Sequence, residues 1–86
     1  MNDIEVVRAA LLVAASRGEQ LSRSALLQAH RAELERQGRT ESEAISEVWT
    51  DLLWKKLRDA DLRVLAHKAR HPDQFFGLAS ALLGQP

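Results

Sequence analysis

Between Ile45 and Arg70 the apolar residues of this chain change sides, and that reversal limits the fold more than any other feature. Ile45, Val48, Trp49, Leu52 and Leu53 follow helical spacing. Continued at about 100° per residue, the same helix would carry Lys56, Arg63, His67 and Arg70 along that stripe and move Leu62, Leu65 and Ala69 to the opposite side. One straight helix cannot bury both halves. The sequence therefore predicts a break within Arg58-Asp59-Ala60-Asp61, where either aspartate can cap a new helix running to about Arg70.

The rest of the chain also reads as helix. Alanine and leucine supply 27 of the 86 residues, against two Ile, five Val and two Thr. A first helix over residues 3 to 17 is expected, capped by Asn2 with Glu5 three positions on and closed by Gly18. Val6, Val7, Ala10, Leu11, Val13 and Ala14 cover more than half of its circumference, so it must be central or lie in an interface. Ser22 is the expected cap of the second helix. Leu21 and Leu26 flank that cap at hydrophobic-staple spacing, and Gly38 closes the helix. Leu26, Leu27 and Leu34 share one face with His30, while Ala25, Ala29 and Ala32 form a small-residue face that lets another helix approach. Thr40-Glu41-Ser42-Glu43 has the spacing of a capping box for the third helix. Pro72 can begin the last one, whose Phe75, Phe76, Ala79, Leu82 and Leu83 form an apolar face before Gly84. The fold class is all-α: a compact bundle of four to five short helices, with residues 1–86 a single domain. The expected core is Val7, Leu11, Leu27, Leu34, Ile45, Val48, Trp49, Leu52, Phe75 and Leu82.

Composition narrows the chemistry. Without cysteine there is no disulfide framework, thiolate nucleophile or Cys-ligated metal. The apolar run from Ile4 to Ala15 is interrupted by Glu5 and Arg8, too short to span a bilayer and wrongly charged for a signal peptide, so a cytoplasmic location is expected. His67 and His71 are spaced i, i+4, with Asp73 as a conceivable third ligand, but two histidines do not make a metal site. Solvated residues near a helix C-terminus account for the pair equally well. His30, between Leu27 and Leu34, reads as a core or interface residue rather than a general base. No nucleophile elbow, phosphate-cradling glycine loop or calcium loop is present, so no enzyme activity, cofactor or metal is expected.

Charge is uneven although its sum is zero. Residues 33–51 carry Glu33, Glu35, Glu41, Glu43, Glu47 and Asp51 against Arg36 and Arg39, a balance of minus four; residues 55–70 carry Lys55, Lys56, Arg58, Arg63, Lys68 and Arg70 against Asp59 and Asp61, a balance of plus four. Solvated helix faces, an acidic face that imitates nucleic acid or meets a basic partner, and a basic nucleic-acid face with Trp54 for stacking all fit this pattern. A helix-turn-helix built from the second and third helices is disfavoured, because Glu41, Glu43 and Glu47 would face phosphates. Trp49 and Trp54 project about 140° apart, so Trp49 can enter the core while Trp54 anchors an interface.

These features lead to an expected non-enzymatic protein-protein interaction module, a small adaptor, regulator or inhibitor that self-associates as a homodimer through the first helix and the Trp54 region. A chain this short buries only about 60% of its unfolded surface, which favours help from a partner. The candidate partner-binding residues are Leu12, Trp54, Lys55, Lys56, Arg63, His67 and Arg70. The alternative is a nucleic-acid-binding regulator using the basic 55–70 segment. Nine Arg against three Lys is compatible with a bacterial or phage accessory protein.

Overall fold

Two left-handed glycines, one aspartate and one proline divide the chain. Gly18 and Gly38 sit at φ +67° and +69°, a conformation in which a Cβ would be strained. Each closes its helix with the same pair of bonds: Glu19 N–H to the Ala14 carbonyl (2.9 Å) with Gly18 N–H to Ala15 (3.1 Å), and Arg39 N–H to Leu34 (2.9 Å) with Gly38 N–H to Glu35 (3.0 Å). The computed structural model describes residues 3–83. It contains α1 (Asp3–Ser16), α2 (Arg23–Arg36), α3 (Glu43–Leu57), α4 (Leu62–Lys68) and α5 (Pro72–Leu82), with no strand among the described residues. The expected all-α fold is therefore observed. The expected Asn2 cap and Gly84 stop lie outside the described residues.

The break after Leu57 falls in the expected segment, although the stripe whose burial was the reason for expecting it, Ile45, Val48 and Leu52, lies outside. Asp61 caps α4, its Oδ1 accepting from the Arg63 and Val64 N–H groups at 3.1 and 3.4 Å, and Pro72 opens α5. Ser22 caps α2, accepting from the Ala25 N–H at 3.1 Å, with Leu21 and Leu26 both buried beside it. One cap is corrected. Ser42, not Thr40, caps α3, its Oγ accepting from the Ile45 N–H at 3.2 Å. Thr40 and Glu41 are used instead in the crossing from α2, and Glu43 pairs with Arg31 rather than reaching back.

α1 is the central helix. It buries Ile4, Val6, Val7, Ala10, Leu11 and Ala14, and packs against α2, α4 and α5. Ala10 and Ala14 meet Ala25 and Ala29 of α2 across a groove of small residues, which allows close approach. Phe75, Leu65, Ala69 and Leu57 close the core from the other side. Arg8 stitches α1 to the end of α4, its Nε donating to the Ala69 carbonyl at 2.8 Å. Of the expected core, Val7, Leu11, Leu34 and Phe75 are buried, and Leu27, Trp49 and Leu82 are partly buried.

Ile45, Val48 and Leu52 are not in the core. They are 56, 59 and 58% exposed, while the inward face of α3 is Ser46, Thr50, Leu53 and Leu57. The phase of α3 is set from its C-terminal end. Leu57 must meet the cluster that Leu65 and Ala69 join after the break. Leu53, Thr50 and Ser46 lie four, seven and eleven residues before Leu57 and share its face. The small, polar Ser46 and Thr50 let α3 settle on α2, and the Thr50 hydroxyl is satisfied locally by donating to the Ser46 carbonyl at 2.8 Å.

Candidate interaction face on α3

With Leu57 fixed inward, the apolar stripe of α3 faces outward. Ala44, Ile45, Val48, Trp49 and Leu52 line one shallow, almost wholly apolar depression. The acidic flank of α3 is tied to α2: Arg23 reaches Glu47 and, at 2.5 Å, Asp51, while Arg31 reaches Glu43. The hydrogen bonds that Arg23 donates to Asp51 and Glu47 push its guanidinium above its ordinary range, so this clamp stays charged. Lys55 and Lys56 continue the stripe one turn beyond Leu52, so α3 runs from an acidic first half to a basic end.

Trp49 stands at the edge between the outer stripe and the buried face. Its indole N–H donates to Asp3 of α1 at 3.1 Å, and its ring stacks on His30 of α2, with centroids 4.0 Å apart and planes within 16°. His30 is fully buried, and neither ring nitrogen has a hydrogen-bond partner; the nearest charged oxygen is Glu41 Oε2, 4.0 Å from Nε2. Leaving a buried polar group unpaired costs about 1–3 kcal/mol. Burial pushes the His30 imidazole below its ordinary pKa, Glu41 and Asp3 oppose that, and Arg39 reinforces it.

The residues singled out from the sequence are spread over several elements. Leu12 and Trp54 are partly buried against the core. Lys55 is exposed, and exposed Lys56 donates through Nζ to the Leu83 carbonyl at 3.2 Å. Arg63 is exposed at the rim of a groove floored by Leu11, Leu21, Leu62 and Ala66. His67 and Arg70 are exposed, and the His67 and His71 rings meet edge-on, with centroids 6.1 Å apart. Among the described residues, no three His, Asp or Glu side chains converge as a metal site would require. No helix there is long and apolar enough to cross a membrane.

The chain matches no family model, no curated protein and no solved structure.

The sequence places Ile45, Val48 and Leu52 inside because they form a stripe of large apolar residues at helical spacing. The counter-signal was present in Ser46, Thr50, Leu53 and Leu57. These share a second face, smaller and more polar, that is in register with the break.

Proposed function

We propose that the protein is a non-enzymatic cytoplasmic adaptor, regulator or inhibitor that works by protein-protein contact, and that the occupant of its α3 face is a second copy of the chain. One observation carries this reading: α3 is inverted, with Ser46 and Thr50 inward and Ile45, Val48 and Leu52 more than half exposed. Contiguous apolar exposure of this kind marks interaction surfaces. Charge selects the occupant. Two α3 helices crossing antiparallel near Trp49 set the exposed Glu43 of each over the partner's Lys55 and Lys56 while Arg23 neutralises Glu47 and Asp51, whereas a parallel pairing sets like on like. The α1 helix is engaged with α2, α4 and α5, so the reading moves the expected interface from α1 to α3.

Sedimentation equilibrium at micromolar concentration tests it. A dimeric mass is expected, reduced to a monomer by Val48→Glu with helical dichroism retained. A monomer for the unsubstituted chain, or a dimer that survives Val48→Glu, overturns the reading.

A second reading, a nucleic-acid-binding regulator, is favoured by a separate observation. Glu33, Glu43, Glu47 and Asp51 are ion-paired to arginines, whereas among the described residues Lys55, Lys56, Arg58, Arg63, Lys68 and Arg70 enter no ion pair. Binding of this kind weakens steeply with added salt and with charge reversal at Lys56 and Arg63, whereas an apolar dimer contact does neither.

A further inference from the structure

His30 and Trp49 join the interior of the molecule to its outer face. The imidazole is enclosed between α2 and α3 without a hydrogen bond, and the indole stacked on it also forms part of the exposed apolar depression. An aliphatic or aromatic side chain would fill the same space without orphaned nitrogens, so the imidazole adds only the capacity to take up a proton. The charges acting on it are Asp3 from α1 and Arg39 and Glu41 from the α2–α3 connection; none comes from α3, which presents Trp49.

We infer that His30 is a proton-operated release for the α3 face: neutral, it holds Trp49 flat and the stripe in its dimerising form, and protonated, it abandons the stack toward Glu41 and the dimer separates. This rests on the α3 self-association proposed above. An imidazolium cannot remain in an apolar enclosure without a counter-charge, and the Glu41 carboxylate, 4.0 Å away and largely shielded from solvent, is the nearest one. Moving the ring toward Glu41 removes the surface that fixes one side of Trp49. Asp3 still holds the indole N–H, so the indole pivots about that bond and disturbs the adjoining Val48 and Leu52. Because burial lowers the proton affinity of His30, the transition falls on the acid side of the ordinary histidine range and the protein is in its dimerising form at neutral pH.

The experiment uses the full chain carrying Trp54→Phe, which leaves Trp49 as the only tryptophan, with and without His30→Phe. Its fluorescence and its sedimentation are followed from about pH 7.5 to about pH 5, the range in which a histidine changes charge. In the His30 chain, fluorescence and mass should change together on acidification with helical dichroism constant. The apparent dimer Kd should rise by up to about ten-fold per pH unit for each proton taken up. In the His30→Phe chain both should stay level and the dimer persist. For a chain that is dimeric at neutral pH, the release is overturned if fluorescence titrates while the mass stays dimeric, if His30→Phe dissociates in parallel, or if dichroism collapses with the mass. A monomer at neutral pH overturns the α3 dimer itself, and is distinguished by a fluorescence titration that continues without any change of mass.

Discussion

Helices α1 and α3 are nearly equal in length and both rich in large apolar side chains, yet they use them in opposite ways. α1 has neighbours on several sides, and its Ile4, Val6, Val7 and Leu11 are all buried. α3 rests mainly on α2, buries Ser46 and Thr50 with Leu53 and Leu57, and leaves Ile45, Val48 and Leu52 outside. Apolar periodicity states which residues share a face. Whether that face is covered depends on how many neighbours reach it, and the five short helices of the described residues cannot surround two of their number.

The contrast can be broken most directly in the core. Leu11→Ala should cost about 2–5 kcal/mol in chemical denaturation, since α1 is enclosed and the cavity cannot collapse. A loss no larger than that of a surface substitution would show that α1 is not the centre. Acidification comes next. His30 is neutral when folded and its proton affinity is lowered, so the unfolded chain binds more protons. The stability it contributes is complete above about pH 6.5 and is lost as pH falls from there toward the lower folded value, with a slope of about 1.4 kcal/mol per pH unit at most. His30→Phe should flatten that slope; an unchanged profile would assign it to other groups. Ser42→Ala should cost about 1 kcal/mol and Thr40→Ala only a few tenths, and the reverse order would restore the capping box expected from sequence. The smallest effect belongs to the outer stripe: Leu52→Ala, measured on dilute monomer, should change stability by no more than about 0.5 kcal/mol. A loss comparable to that of Leu11→Ala would mean that α3 is turned inward after all.

Local chemistry was legible wherever a single residue decides the backbone. Gly18 and Gly38 take the left-handed conformation that ends a helix, Asp61 and Ser22 supply the caps, and Pro72 opens α5. The cap of α3 was misplaced by two residues because Thr40 and Ser42 both have a hydroxyl at capping distance, and only the length of the crossing from α2 chooses between them. His30 was read as core or interface and is fully buried, but nothing in its neighbours Leu27 and Leu34 announces the stack on Trp49, which comes from another helix. The charge segments were visible as a sequence dipole. That Arg23 and Arg31 clamp the acids of α3 follows from α2 and α3 lying side by side, and among the described residues the bases of 55–70 enter no ion pair.

By itself, then, the sequence determined an all-α chain of four to five helices, their glycine and proline punctuation, and a break between Leu57 and Leu62 capped by one of two aspartates, because these follow from local backbone conformation. It also determined that Ile45, Val48 and Leu52 act together. Only the tertiary structure decided that they act on the outside. The rotation of α3 is fixed at its far end, where Leu57 must join Leu65, Ala69 and Phe75 around α1, and a rigid helix transmits that choice along its length to Ser46.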